Sequence, residues 1–444
     1  MLHRNVGDRL ILLLGDMASF GVALWLTLMI RHVGSINTQE VARVFGVHLQ
    51  AFAPLFLLWL VVFFIFGLYE KHTVFQKKNL PKKIFKLQSL NSVVAVLYFY
   101  LFPTLGISPK LTLFIDLIIT FVLILVWRLM VLHFWRSERK VNAIIIGRDE
   151  EVSVLQSEIN SHPFYGLCAL DFPEWGEDAM RAITDKKISV IIANPLSLDM
   201  RSDSGGLSSL VLGGIKVLDR RDVYEDILGR IPLSLISESW ILRHITPSRR
   251  SYDLLKRAMD IIIAVPVFLV SLILYPFVAI AIKKEDNGSV FIHQERVGRG
   301  GKMIYITKFR SMSGNDTGHQ FLKSNLSVTR VGRFLRLTRI DELPQLWNVI
   351  KGELSLVGPR PELLPLVSEY EKMIPFYGMR HVITPGLSGW AQIYHDDHPH
   401  HGTAVEETRE KLSYDLYYIK NRNIFMDISI ALKTIRTLLS RNGA

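Results

Sequence analysis

A chain of 444 residues exceeds one ordinary core, so two or three domains are expected. Apolar residues make up 49% of it, mean hydropathy is +0.25, and the apolar residues come in long blocks, which argues against a wholly water-dissolved protein. The formal charge of +11 calls for an anionic partner, and the apolar blocks favour anionic lipid or a phosphorylated substrate and exclude nucleic acid. One cysteine, Cys168, rules out an intrachain disulfide and fits a reducing compartment for the soluble parts.

Four blocks, roughly 10–30, 51–69, 89–106 and 111–134, predict membrane-spanning helices. Each is close to the ~20 residues that cross ~30 Å of hydrocarbon. The first is long enough to span and no A-x-A-like site follows it, so no cleavable signal is expected. The second loop carries Lys71, Lys77, Lys78, Lys82, Lys83 and Lys86, and the segment after the fourth block carries Arg136, Arg139 and Lys140. This basic bias places both ends of the unit in the cytoplasm. Asp16 and Arg128 lie at matching depth, about two helical turns from that side. An isolated charge at the bilayer centre costs ~2.5–3.5 kcal/mol, which pairing of the two would relieve. Separate snorkelling to the headgroups is the alternative.

Between 141 and 220, Val141–Gly147, Ile188–Asn194 and Gly214–Asp219 read as strands separated by helical stretches, a small α/β unit with a parallel sheet. The turn after Gly147 reads Arg-Asp-Glu-Glu. A dinucleotide site needs several glycines there, so a regulatory or assembly role is favoured.

Residues 258–282 form a fifth apolar block, interrupted by Pro266 and Pro276 and flanked on both sides by basic residues. A simple crossing would put one basic flank outside. A kinked helix that enters and leaves by the same face satisfies both flanks.

Two short strands then surround Gly298-Arg299-Gly300-Gly301, and Lys308 and Arg310 share one strand face as candidate phosphate or headgroup contacts. Arg330, Arg333, Arg336 and Arg339 recur every third residue. On a helix such a stripe repels itself unless anions lie near. Asp341-Glu342 follows, with Pro344 suited to a helix start and Gly352 to its end. Acids there can serve as caps, but a carboxylate beside Arg339 and a metal can also attack phosphorus while its neighbour holds the metal. Arg360 sits between Pro359 and Pro361, a rigid setting for bidentate phosphate binding. The His395–His401 run has a metal-like composition but reads as a surface loop.

From Lys256 onward the chain resembles the bacterial sugar transferases, the polyprenyl-phosphate hexose-1-phosphate transferases. The resemblance rests on KRAMD (256–260), QERVGRGGK (294–302), KFRSM (308–312), TRVGRFLR (329–336), DELPQLWNV (341–349), GELSLVGPRPE (352–362), TPGLSGWAQ (384–392) and YDLYYIKN (414–421). The N-terminal half is similar to that of the larger members. The resemblance implies transfer of a sugar-1-phosphate from a UDP-sugar to undecaprenyl phosphate, releasing UMP. That reaction starts exopolysaccharide, capsule or O-antigen (lipopolysaccharide) assembly at the bacterial inner membrane. It further implies Asp341 as the nucleophile of an aspartyl phosphosugar intermediate and Glu342 as its partner in holding Mg²⁺. Lys308, Arg336 and Arg360 are the implied phosphate contacts, and Pro276 the re-entrant break. Many members have Ser-Pro at that break where this chain has Tyr275-Pro276.

The expected architecture is a membrane α/β protein. A four-helix transmembrane bundle (1–138) is followed by a small Rossmann-like parallel α/β module (139–220) and a connector (221–250). A mainly helical cytoplasmic catalytic domain (251–444) is anchored by the proline-kinked re-entrant helix. Expected partners are UDP-sugar, polyprenyl phosphate and membrane lipid; a homo-oligomer is allowed but specified by no motif. The competing reading of the N-terminal half is a non-enzymatic membrane scaffold.

Overall fold

The computed structural model describes residues 5–31, 38–70, 80–102, 110–136, 140–162, 165–170, 183, 185–194, 212–313, 327–394 and 405–440. The His395–His401 run, and Lys71, Lys77, Lys78 and Arg139 among the orientation-setting cations, lie outside them. Contacts divide the chain into two units, Met1–Ile227 and Leu228–Ala444.

The first unit opens with α1 (Asn5–Arg31), α2 (Thr38–Ile65), α3 (Leu80–Leu101) and α4 (Lys110–Arg136). Each contains a stretch long and apolar enough to cross a membrane, which marks a membrane protein. Helix α3 starts earlier than its apolar block suggests. Leu80, Ile84 and Leu87 are buried on one face of its first turns, so Lys82, Lys83 and Lys86 belong to the helix rather than to a loop. Aromatic rings fill the bundle: Phe20 stands 5.3 Å from Phe56 and 5.4 Å from Trp59. Such pairs contribute about 0.5–1.5 kcal/mol beyond burial.

Asp16 and Arg128 meet. Arg128 Nη2 donates to Asp16 Oδ2 at 2.5 Å and its Nη1 to the Leu68 carbonyl at 3.2 Å, while the Tyr69 hydroxyl donates to Asp16 Oδ2 at 2.8 Å. Both charges are fully buried, so separate snorkelling is excluded. Asp116 of α4, which its sequence neighbours do not single out, is also fully buried.

The unit continues as β1 (Val141–Ile145), α5 (Glu150–Ser161), β2 (Leu167–Leu170), β3 (Val190–Ala193), β4 (Lys216–Asp219) and α6 (Arg220–Leu228). The strands form one parallel sheet in the order β2-β1-β3-β4. Strand β2 carries only four residues and lacks a β-branched run, so sequence patterning passed over it. Asp149 caps α5 by accepting from Val152 N, and Arg220 pairs with it at 2.8 Å. Gly147 has φ +141°, and a Cβ there would lie 2.2 Å from Arg220 Nη1. The turn where a dinucleotide fold seats its pyrophosphate is filled by the chain's own ion pair.

The stretch expected to be a connector is folded. Ile231, Trp240 on α7 (Glu238–His244) and Ile245 are built into the main core of the second unit, beside Tyr377, Leu416 and Ile430. Next come α8 (Arg250–Ser271) and α9 (Tyr275–Asp286), bent by 54°. Helix α8 runs unbroken through Pro266, so the bend falls only before Pro276. Short-range bonds from Ile273, Leu274 and Tyr275 carry the backbone round the corner, and Ser271 Oγ donates to the Phe268 carbonyl. Tyr275 acts through its ring, 4.8 Å from Phe309. Arg257 donates to the carbonyls of Val349 and Ile350, both at 2.6 Å, and Asp260 accepts from Ser355 Oγ at 2.7 Å, which fixes α8 to the segments described next.

Strands β5 (Phe291–Val297) and β6 (Met303–Phe309) form an antiparallel hairpin. They are followed by α10 (Arg330–Thr338), a 3₁₀ turn (Ile340–Gln345), α11 (Leu346–Lys351), β7 (Ser355–Val357) and α12 (Leu364–Met373). Then come β8 (Gly386–Ser388), α13 (Trp390–Tyr394), α14 (Val405–Asn421) and α15 (Ile424–Ser440). β7 and β8 pair in parallel, and a Cβ on Gly386 would lie 2.1 Å from Gly358 N.

Candidate active site

Asp341 and Glu342 sit in the 3₁₀ turn, not in the first turn of an α-helix as the Pro344 pattern suggested; α11 begins only at Leu346. The entry to that turn explains the difference. Arg339 adopts a left-handed backbone (φ +56°), ends α10, and accepts the Glu342 amide on its carbonyl at 3.2 Å. The stripe of four arginines is thereby split. Arg330 and Arg333 stay exposed, whereas Arg336 is half-buried and Arg339 Nη1 comes within 3.5 Å of Glu342 Oε1. The other end of α10 is tied to α9: Glu285 accepts the amides of Arg330 and Val331, at 2.6 and 3.1 Å. A carboxylate there also opposes the positive end of the helix dipole.

Glu342 is ringed by cations. Arg360 Nη2 donates to its Oε1 at 2.8 Å, and Lys308 Nζ lies 3.9 Å away. Burial alone would raise its pKa, but Arg360, Lys308 and Arg339 overcome this and hold it at about 2. Asp341 moves the other way. It is buried, its Oδ1 has no hydrogen-bond partner among the described residues, and burial, reinforced by the neighbouring Glu342 charge, pushes it up to about 6 against the pull of Lys308, Arg339 and Arg336. Burial also brings Lys308 down to about 8. Two adjacent carboxylates thus titrate far apart, a pattern typical of sites that do chemistry.

Of the residues expected to meet substrate, Lys308 and Arg360 gather on Glu342 next to Asp341, Arg336 acts on Asp341 through its charge, and Pro276 stands at the helix bend. Arg310 is elsewhere. It pairs with Asp286, donates to the Ser289 carbonyl and packs on Gly288, so it closes the loop after α9 and is a buried, paired group rather than a solvated edge.

A support not anticipated from sequence lies behind Arg360. Arg380, buried, donates to the Arg360 carbonyl at 3.1 Å, pairs with Asp415 at 2.8 Å and approaches Glu362 at 3.7 Å. Burial would weaken the Arg380 charge, but Tyr377, Asp415 and Glu362 hold it firmly on. A lone arginine in YGMRHV carries no local signal of a partner on α14. Pro359 is held as well, its carbonyl accepting from Gly386 N at 2.9 Å.

Mg²⁺ typically takes one or two protein carboxylates and completes its shell from water and substrate phosphates. The idle Asp341 oxygen beside Glu342 fits that requirement. No group of three or more His, Cys, Asp or Glu side chains gathers among the described residues, so an all-protein cage is not offered here.

Bent apolar helices exposing Ile262, Val270 and Phe277 and an acid pair ringed by Lys308, Arg339 and Arg360 lie in one domain, and both features mark its class. The chain belongs to the bacterial sugar transferase family, whose match covers residues 251–441. A UDP-N-acetylgalactosamine-undecaprenyl-phosphate N-acetylgalactosaminephosphotransferase of Aeromonas hydrophila is 41% identical over 54% of this chain and 56% of its own length. A UDP-glucose:undecaprenyl-phosphate glucose-1-phosphate transferase of Caulobacter vibrioides is 38% identical over 44% and 74%. Its Escherichia coli K12 counterpart is 37% identical over 43% and 41%. The chain thus spans about half the length of several of the relatives it matches.

Proposed function

We propose that the protein transfers a sugar-1-phosphate from a UDP-sugar to undecaprenyl phosphate, giving the polyprenyl-diphosphate sugar and UMP, and so starts a cell-surface polysaccharide such as exopolysaccharide, capsule or lipopolysaccharide. Family membership and the activities of the named relatives support the reaction class. The observation that carries the site assignment is the split titration of Asp341 and Glu342.

In this reading an Asp341 oxygen attacks the phosphorus bearing the sugar, and the bond to the UMP oxygen breaks. An oxygen of undecaprenyl phosphate then attacks the same phosphorus and releases Asp341. Two easier steps replace one hard one. Arg360 and Arg336 would take the phosphate oxygens, and Lys308 would neutralise charge that develops on them. Asp341 and Glu342 would hold Mg²⁺, which supplies charge neutralisation on the diphosphate.

The basic flanks of α8–α9 and the 54° bend support a re-entrant helix that leaves the catalytic domain on the cytoplasmic face of the inner membrane. The sheet order supports a Rossmann-like module. Its filled glycine turn favours an assembly or regulatory role over nucleotide binding. The decisive experiment is UMP release from a panel of UDP-sugars with purified protein and undecaprenyl phosphate. Full activity in Asp341→Asn refutes the nucleophile; no release with any sugar refutes the reaction.

A further inference from the structure

Among its described residues the four-helix unit leaves the buried carboxylate of Asp116 unbalanced. Asp116 is fully buried, and among the described residues neither of its carboxylate oxygens has a hydrogen-bond partner. The arginines of α1 and α4 that flank it in register are engaged elsewhere: Arg128 bonds Asp16 and the Leu68 carbonyl, and Arg31 bonds Thr112. Those same contacts, Asp16 with Arg128 and Arg31 with Thr112, fix an antiparallel register in which Thr27 of α1 stands opposite Asp116 of α4. Thr120 lies one turn along α4 on the face of Asp116. Thr27 and Thr120 are fully buried, and their hydroxyls also lack partners among the described residues.

The chemistry of these groups restricts what would satisfy them. An unpaired buried carboxylate is strongly unfavourable, and each idle hydroxyl adds to the penalty. A single negative charge is cancelled by a single positive one. A divalent ion would leave an excess charge in apolar surroundings and favours a richer set of carboxylates. The ligand atoms on offer are all oxygen, from one carboxylate and two hydroxyls, which disfavours the metals that select nitrogen or sulfur. We propose that Asp116, Thr27 and Thr120 form a binding site for a monovalent cation of the sodium or potassium type inside the four-helix unit. The ion does for Asp116 what the guanidinium of Arg128 does for Asp16 at the opposite end of the same helix pair. The inference is independent of the transferase reading.

The test uses the full chain in detergent, unfolded thermally in sodium, potassium or choline chloride at equal ionic strength, at acidic and at alkaline pH. The expected result is a saturable rise in Tm with sodium or potassium over choline. That rise is lost in Asp116→Asn, whose Tm in choline equals or exceeds that of the parent. Thr27→Val raises the half-saturating concentration about tenfold, as expected for a ligand contributing ~1.4 kcal/mol. Radiolabelled sodium and rubidium binding to the parent protein, expected at one ion per chain, gives a readout that needs no variant to fold. A Tm indifferent to cation identity with no bound ion overturns the proposal. So does a Tm that follows pH alone, the behaviour of a protonated Asp116, or an ion dependence unchanged in Asp116→Asn.

Discussion

Arg360 Nη2 reaches Glu342 Oε1 across 2.8 Å, and through this bond a proline-clamped segment holds one member of the acid pair. Arg360→Lys keeps the charge but loses the planar fork that can serve Glu342 and a substrate phosphate together. Its kcat/KM for UMP release is expected to fall about 10²-fold, the scale of one lost charge-stabilising donor. Retained activity would show that Arg360 only supports Glu342 as a charge.

The pH profile follows from two groups. Asp341, raised to about 6, loses its negative charge as pH falls through that value, and Lys308, lowered to about 8, loses its positive charge as pH rises through it. Single-turnover UMP release should therefore be bell-shaped, with limbs near about 6 and about 8. Lys308→Arg stays charged, so the alkaline limb should move upward. A limb that does not move assigns it to another group.

The same shifts carry opposite signs for stability. Asp341 binds its proton more tightly folded than unfolded, so its penalty is absent below the free value of 3.8 and complete once pH has risen through about 6. Glu342 is held low, so its contribution is present above 4.5 and lost as pH falls through about 2. At neutral pH, Asp341→Asn should stabilise and Glu342→Gln destabilise the fold, each on the order of 1–3 kcal/mol. Thermal unfolding of the two variants checks the sign. A nucleophile that costs stability is the expected pattern at a site built for reaction.

Removing one partner of the Asp16–Arg128 pair leaves the other charge buried, at a cost of about 3–5 kcal/mol. Asp16→Leu with Arg128→Leu should cost less than the sum of the single changes. Denaturant titration in micelles measures the coupling, and additive losses would show that the 2.5 Å contact carries no coupling energy.

If α8–α9 re-enters, cysteines at Arg250 and Lys284 should label from the same side. Cys168 is the only native cysteine, so Cys168→Ser gives a clean background. Labelling from opposite sides would make the bent pair a broken span.

The spans were legible because an apolar block long enough to cross is a property of local composition, and the β5–β6 hairpin because glycines sit between two strand-like runs. The acid pair and Arg360 were visible because their signals are adjacent in sequence. The start of α3 was missed because its first turns alternate lysine with leucine and isoleucine, and composition averages over a face that the helix separates. The burial of Asp116 depends on where Thr27 falls in a neighbouring helix, and the role of Arg380 on Asp415 in α14. Such long-range partnerships leave no periodic trace. The end of α10 turns on the left-handed backbone of Arg339, a conformation that glycine would have advertised and arginine conceals.

Gly386 and Gly358 approach so closely that each backbone occupies the space where the other's side chain would begin. Arg360 is two residues from that contact, and Pro359 is bonded across it. The reach of the guanidinium toward Glu342 is thus set by the thickness of two bare peptide planes. One methyl group at either glycine would act as a wedge, opening the reaction centre without touching any group that reacts. The two segments work as a single machined joint, and a change in one can be accommodated only by a matching change in the other.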